Sequence, residues 1–370
     1  MHSRFRERRY SVVTYECEFA GAIRFKELCE LAAPSSLTQT IIRGAGRNGI
    51  SVALSLAILA VAATTLYHLL RGIDAGKVVA AIEAQSVPHI LIAGALVIAG
   101  YANLICYDLF ALRTIGKHGI PLRVVAFASF TSYTIGHSLG AATLTCGLVR
   151  FRVYSVWGLN VVDIAKIAFA TGMTFWLGNL FVLGGAVAYV PQALSAVDHV
   201  PPWINRLIGL SGVAVIGCYL VWLMPQPRSV GRANWRIVLP DPRCTLLQIG
   251  IGTLDRCLAS LSIYMLLPAS PAVGFATVVV VFVLATLLGA VSHTPGSLGV
   301  VEAAILIGLP QFQREDLLAT LLIFRVLDFF LPLLLATAMF GMRELRLLAR
   351  RAHGRRSGAT ANLVRVIPPR

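Results

Sequence analysis

Residues 271–309 read PAVGFATVVVVFVLATLLGAVSHTPGSLGVVEAAILIGL. The stretch is apolar and long enough to cross a bilayer, but the residues HTPGSLG at 293–299 interrupt it. A Pro-Gly turn and several polar residues at that depth do not fit one straight helix. We therefore predict a re-entrant hairpin or two tightly joined crossings.

A second stretch, 121–149, is apolar and broken in a similar way by glycine and polar residues. The two stretches share a faint repeat at an offset of about 149 residues: Leu139, Gly140, Ala141, Thr145 and Gly147 recur as Leu288, Gly289, Ala290, Thr294 and Gly296. Three crossings separate the repeats, so their orientations should be opposite. Inverted repeats with broken helices are typical of alternating-access transporters.

The composition indicates a membrane protein. Hydrophobic residues make up 57% of the chain and charged residues 13%, with a mean hydropathy of +0.76, which soluble domains of this length do not reach. Clear spans of about 20 residues or more are expected at 50–70, 89–112, 163–190, 203–224, 244–267 and 317–341. We predict an all-α integral membrane protein, a polytopic bundle of six to eight helices with two broken or re-entrant hairpins in an inverted repeat.

The positive charges follow the membrane topology. The formal net charge is +15, and the basic residues gather at the two ends and in short loops, as the positive-inside rule describes. We therefore expect no nucleic-acid partner. The predicted parts are a basic cytoplasmic N-terminal segment at 1–48, a transmembrane domain at 49–343 and a basic cytoplasmic tail at 344–370, in the inner membrane.

Loop charge also constrains the two broken stretches. The loops 113–123 and 225–243 are basic and should be cytoplasmic, whereas 191–202 has no Lys or Arg and should be outside. Two clear spans already connect the basic loops. The stretch 121–149 must therefore enter and return to the cytoplasmic side, and by the same count 271–309 enters from outside and returns there.

Charged residues inside the apolar spans are the candidate functional residues, because each ion costs on the order of 3 kcal/mol at that depth. Arg325 and Asp328 stand three apart, on one face of an α-helix. They form either a helix-locking pair or a headgroup or proton site. Asp255 and Arg256 are adjacent and point about 100° apart, so we expect each to need a partner on another helix.

Two further charged positions adjoin the broken segments. Glu302 opens an apolar half-helix, where it either caps the N-terminus or pairs with an arginine, namely Arg150, Arg256 or Arg325. Arg150, close to the first broken segment, is a candidate ligand for a lipid phosphate. Asp108 ends the second span and could cap it or contact the first hairpin.

Motifs of enzyme chemistry are missing from the sequence. It contains no nucleophile elbow, Walker motif, HExxH or dinucleotide fingerprint, and its cysteines have no metal-ligand spacing. We therefore expect no catalytic residue, no metal site and no cofactor, and we do not expect an enzyme.

Several motifs resemble those of a known family. They are YD at 107–108, LTCGLVRFRVY at 144–154 with WGL at 157–159, PGSLGVVE at 295–302, and FR at 324–325 with Pro332. They resemble the membrane (flippase-like) domain of lysylphosphatidylglycerol synthases, over about residues 50–345. In two-part members this domain moves an aminoacylated phospholipid between leaflets and a soluble domain makes it. The resemblance implies a stand-alone form that translocates lipid without the soluble synthase domain.

These observations lead to one principal hypothesis and two alternatives. The first is a flippase-like transporter of a phospholipid or other amphiphile, whose midplane groove is lined by Arg150, Asp255, Arg256, Glu302, Arg325 and Asp328. The second is a membrane enzyme or accessory subunit of lipid-linked sugar, aminoacyl-lipid or hopanoid metabolism, and the third is a scaffold for a partner enzyme. Expected partners are membrane lipids, anionic or aminoacylated, and a second copy or a lipid-synthesising enzyme.

Overall fold

The computed structural model describes residues 75–138, 142–224, 229–232, 235–292 and 294–346. The predictions for the segment 1–48, the span 50–70 and the tail beyond residue 346 lie outside this part of the chain.

The described residues form an α-helical bundle with one small hairpin of strands. The helices are α1 Ala75–Glu83, α2 Val87–Thr114, α3 Leu122–Ser138, α4 Ala142–Tyr154, α5 Val161–Tyr189, α6 Pro191–Asp198, α7 Pro202–Leu223, α8 Pro242–Leu266, α9 Phe275–Ser292, α10 Val300–Gly308 and α11 Arg314–Arg325. Short 3₁₀ turns cover Ser155–Trp157 and Pro295–Ser297. The antiparallel strands β1 Ser229–Arg232 and β2 Trp235–Val238 lie in the loop between α7 and α8.

Helix α11 continues beyond Arg325 through a π-helical turn, Val326–Phe330, and the whole last helix covers Arg314–Arg346. This helix, α2, α5, α7, α8 and α9 are the six described helices that are long and apolar enough to cross a membrane. Five of them match predicted spans. The sixth, α9, is the first arm of the predicted hairpin at 271–309.

Local capping explains where the long helices begin. The Asn160 side chain accepts a hydrogen bond from the Asp163 backbone N–H (2.9 Å), and the Asp163 carboxylate accepts one from the Asn160 N–H (3.2 Å), which forms a capping box at the start of α5. Asp241 accepts a hydrogen bond from the Cys244 N–H (3.0 Å), ahead of a proline in the first turn of α8.

Both stretches predicted to be broken are broken. The first consists of α3 and α4, which pack against each other, and the second of α9, the turn at Pro295–Ser297 and α10, which packs back on α9. In the second, Gly296 (φ 61°) and Gly299 (φ 82°) adopt left-handed conformations that reverse the chain. Helix α3 contacts the Pro295–Ser297 turn, so the hairpins approach each other. Their inverted orientation stays a prediction.

Helix α8 lies between α2 and α5 and packs against both. Its approach to α5 is close because glycines face each other: a Cβ built on Gly178 would lie 2.3 Å from the carbonyl carbon of Gly252. Small residues allow this backbone contact, as in other membrane helix pairs.

Each hairpin contributes to its own apolar core. The larger cluster joins α8, α9, α10 and α11 and includes Ile263, Phe282, Ile305 and Phe324. The other joins the end of α2, α3, α4 and the start of α5, and includes Leu112, Val125, Tyr154 and Ile167. The charged side chains considered below lie on the helices of these two clusters.

Candidate functional site

The first charged group lies between α2 and the first hairpin. Arg150 of α4 donates from Nη2 and Nε to the two carboxylate oxygens of Asp108 on α2, at 2.7 and 3.2 Å. The Tyr154 hydroxyl donates to the same carboxylate at 2.9 Å, and the guanidinium carbon lies 4.8 Å from the centroid of the Tyr133 ring. The ion pair is buried, with side chains 3% and 0% exposed.

The charge of Arg150 is therefore balanced by Asp108 in this conformation. The sequence makes Arg150 a candidate ligand for a lipid phosphate, and Asp108 either a cap or a contact of the first hairpin. The structure confirms the contact of Asp108. Arginine binds a carboxylate in the same two-pronged way as a phosphate, so a phosphate that takes the Nε and Nη2 donors of Arg150 must displace Asp108.

The second group is the adjacent pair Asp255 and Arg256 on α8. The expectation that each would need a partner on another helix is wrong. The Arg256 side chain folds back, so that Nε donates to Asp255 Oδ2 at 2.9 Å and Nη2 contacts the same oxygen. Neighbouring Cβ atoms on a helix point about 100° apart. The arginine side chain is long enough to turn back from its Cβ direction and reach the Asp255 carboxylate. Arg256 also lies over the Phe175 ring of α5, 5.3 Å from its centroid.

The third group holds the turn of the second hairpin. Arg325 donates from Nε to Glu302 Oε1 at 2.7 Å and from Nη1 to the Gly296 carbonyl at 2.7 Å, with Nη2 at 3.4 Å from the Ser297 carbonyl. The other Glu302 oxygen accepts the Gly299 backbone N–H at 2.7 Å. Glu302 therefore both caps α10 and pairs with an arginine, the two alternatives that the sequence left open.

Of the two alternatives left open for Arg325 and Asp328, the helix-locking pair does not form. The same-face argument assumed an α-helix, whereas Asp328 lies in the π-helical turn Val326–Phe330. A π-turn takes more residues than an α-turn, so residues three apart no longer lie one above the other. The Asp328 side chain is partly buried and has no ion-pair partner within 4 Å among the described residues. Its main-chain carbonyl accepts the Tyr101 hydroxyl at 2.9 Å.

Five of the six predicted residues form one electrostatic neighbourhood. Asp328 interacts electrostatically with Arg256, Asp255 and Arg325, and Arg325 pairs with Glu302. Arg150 lies in the separate pair with Asp108.

One side chain on α2 and one on α3 also interact electrostatically with these charged residues. His137 interacts with Arg150, Asp255 and Arg256, and Tyr107 interacts with Asp255, Arg256 and Tyr133. The His137 side chain is exposed, and its ring stacks on the Tyr133 ring with 5.9 Å between the two centroids. His293 lies outside the described residues.

The sequence analysis did not identify the aromatic and hydroxyl partners. Tyr101, Tyr133, Tyr154 and Phe175 each contact a charged residue or the backbone beside one. Tyrosine within an apolar span, as in the dipeptide Tyr107-Asp108, was the available signal. In the described part of the chain, no group of three or more His, Cys, Asp or Glu side chains could hold a metal ion.

No family model matches the chain. The chain is 33% identical to the uncharacterized protein slr0712 of Synechocystis over 268 aligned residues, and the alignment covers 72% of this chain and 82% of slr0712. It is 30% identical to the inner membrane protein YbhN of Escherichia coli over 262 aligned residues, and that alignment covers 69% of this chain and 80% of YbhN. The chain, with six described helices of spanning length, belongs to the protein family that includes the inner membrane protein YbhN and slr0712.

Proposed function

We propose that this protein is a flippase-like transporter that moves a phospholipid or another amphiphile between membrane leaflets. The observation that carries the proposal is the turn of the second hairpin, which Arg325 holds through Glu302 and the Gly296 carbonyl. Non-helical backbone at membrane depth is tolerated where it is enclosed by protein or lines a cavity. Broken helices of this kind bind substrate in alternating-access transporters.

The charged pairs support the proposal from their energetics. Each ion in a membrane span costs several kcal/mol, and such residues mark substrate or ion pathways. Two of the ion pairs, Asp108 with Arg150 and Glu302 with Arg325, join two different helices. If those helices moved relative to each other, the charged residues could exchange partners. Alternating access requires contacts of this kind, which have two discrete arrangements.

The substrate class rests on the resemblance to the membrane domain of lysylphosphatidylglycerol synthases. We propose anionic or aminoacylated phospholipids as cargo and a lipid-synthesising enzyme as a supplier, with no catalysis by this chain. The proposed location is the inner membrane, as the name of YbhN states for that relative, with both chain ends in the cytoplasm.

Reconstitution tests the proposal. The full-length protein is placed in vesicles that contain NBD-labelled phosphatidylglycerol or its lysyl ester, and dithionite reports the fraction of probe in the outer leaflet over time. We expect faster exchange than in protein-free vesicles for at least one probe, and slower exchange in the Arg325→Gln variant.

The Arg152→Gln variant is the matched control, because Arg152 pairs with Glu344 at an exposed position. It should exchange lipid at the wild-type rate. Wild-type vesicles that exchange neither probe faster than protein-free vesicles would refute lipid translocation for these cargoes. Exchange at the wild-type rate in folded Arg325→Gln and Glu302→Gln proteins would show that translocation does not depend on this turn.

A further inference from the structure

The charged side chains of the candidate site, taken with Asp108, do not balance. Arg150, Arg256 and Arg325 each pair with one carboxylate, namely Asp108, Asp255 and Glu302. Asp328 is the remaining carboxylate of the neighbourhood, with no ion-pair partner among the described residues. An ionised carboxylate without a partner at membrane depth costs several kcal/mol, and binding a proton removes that cost.

The groups that face Asp328 come from three elements. They are Arg256 and Asp255 on α8, Arg325 on α11, and Tyr101 on α2, whose hydroxyl donates to the Asp328 carbonyl. Both arginines are already bound to other carboxylates. Asp328 therefore competes for these arginines when it is ionised and does not compete when it is protonated.

The backbone offers a second arrangement for this residue. Asp328 lies in the π-helical turn Val326–Phe330 directly after Arg325. If this turn became α-helical, the two side chains would be three apart on one face and could pair. Glu302, which Arg325 would leave, would keep the Gly299 N–H and the positive end of α10.

We propose that the Asp328 carboxyl is the binding site for a proton that drives the transport cycle. This inference rests on the proposed lipid translocation. In the conformation described, a carboxyl oxygen of Asp328 holds the proton and Arg325 binds Glu302. Release of the proton leaves the carboxylate, which takes Arg325 from Glu302 and loosens the turn of the second hairpin. Uptake of a proton from the opposite side restores the first state.

A proton fits this position better than a metal cation. Metal ions such as Na⁺ and Mg²⁺ need several oxygen ligands around one centre, whereas a proton needs one oxygen. Arg256 and Arg325, both close to Asp328, would also repel a second cation.

Infrared spectroscopy of the purified full-length protein tests proton binding without any transport. A carboxylic-acid carbonyl band that titrates with pH should be present in the wild type and lost in the Asp328→Asn variant, whose amide copies the protonated side chain in shape and charge. The Asp316→Asn variant removes an acid from the first turn of α11 and should keep the band. Equal bands in the wild type and Asp328→Asn proteins would overturn the inference.

Lipid exchange under an imposed pH gradient tests the coupling. Wild-type vesicles with NBD-labelled phosphatidylglycerol should change their exchange rate several-fold with the gradient, and Asp328→Asn vesicles should exchange at one rate with or without it. The Asp328→Glu variant keeps a titratable carboxyl and should retain the response to the gradient. It provides the test if the Asp328→Asn variant folds poorly.

The two proposals fail in different ways. A wild type that exchanges no lipid refutes translocation, and the infrared band still decides proton binding. A wild type that exchanges lipid without response to the pH gradient, or that responds to a sodium gradient in its place, overturns the proton inference and leaves translocation intact.

Discussion

Asp108 and Arg150 are 42 residues apart and form a two-pronged ion pair in which both side chains are almost fully buried. The pair joins α2 to the second arm of the first hairpin. A buried pair contributes little net stability compared with an apolar replacement, but the loss of one partner leaves an uncompensated charge. Single and double substitutions of the two residues should therefore differ in stability.

We expect Asp108→Asn to lower the free energy of unfolding by about 3–5 kcal/mol, because Arg150 would stay buried without a counter-charge. Replacing both residues, as Asp108→Asn with Arg150→Met, should recover part of that loss. Denaturant unfolding in detergent measures both values. A double variant less stable than Asp108→Asn alone would contradict this explanation.

The exposed pair of Arg152 and Glu344 should behave differently. Their side chains are 45% and 24% exposed, and exposed ion pairs contribute about 0–1 kcal/mol. Arg152→Gln should therefore change the free energy of unfolding by about 1 kcal/mol or less. The same denaturant series measures it, and a loss as large as that of Asp108→Asn would show that the contact is more important than its exposure indicates.

The glycine contact between α5 and α8 can be tested with one methyl group. Gly178→Ala would place a Cβ 2.3 Å from a Gly252 backbone atom, so the helices must separate, at a cost of about 1–3 kcal/mol or more. Gly185→Ala on the same helix meets no atom within 4 Å and should leave the melting temperature unchanged or slightly higher. Equal melting temperatures for the two variants would refute the close approach.

The turn of the second hairpin combines backbone strain with crowding. At Gly296 the φ angle is 61°, and an added Cβ would lie 2.8 Å from the Phe329 ring. Gly158 has φ 77° with nothing within 4 Å, so Gly158→Ala isolates the backbone cost of roughly 1–2 kcal/mol. Gly296→Ala should be the more destabilising variant in thermal unfolding. The reverse order would mean that the Phe329 ring moves away freely.

The positions of the five predicted spans that fall within the described residues, and of both breaks, could be predicted from the sequence, because hydropathy and Pro-Gly turns act locally. The breaks at 121–149 and 271–309 follow from residues such as Gly296, whose conformation depends on its own chemistry. The partners of the charged side chains could not be predicted in the same way. Arg150 finds Asp108 only through the packing of α4 on the end of α2, which no local pattern encodes.

The wrong prediction for Asp255 and Arg256 and the absence of an Arg325–Asp328 pair each have a specific physical cause. The adjacent Asp255 and Arg256 pair with each other because an arginine side chain is long enough to turn back. Arg325 and Asp328 do not pair because the helix between them is a π-turn, and single-residue insertions into the helical ladder leave no mark in hydropathy. For Glu302 both alternatives hold together, since one carboxylate has two oxygens and uses one for each role.

Cysteine labelling tests the predicted orientation of the bundle in the membrane. In a variant without native cysteines, Gln192→Cys in α6 and His118→Cys in the loop between α2 and α3 introduce exposed probes. The linker 191–202 has no basic residue and the loop 113–123 is basic, so the positive-inside rule places them outside and inside. An impermeant maleimide should label Gln192→Cys in intact cells and His118→Cys only after permeabilisation. The opposite labelling pattern would mean that the bundle has the inverse orientation. Labelling of both positions in intact cells would mean that an even number of crossings separates them, which contradicts the predicted odd number. The argument for two hairpins of opposite orientation would then fail.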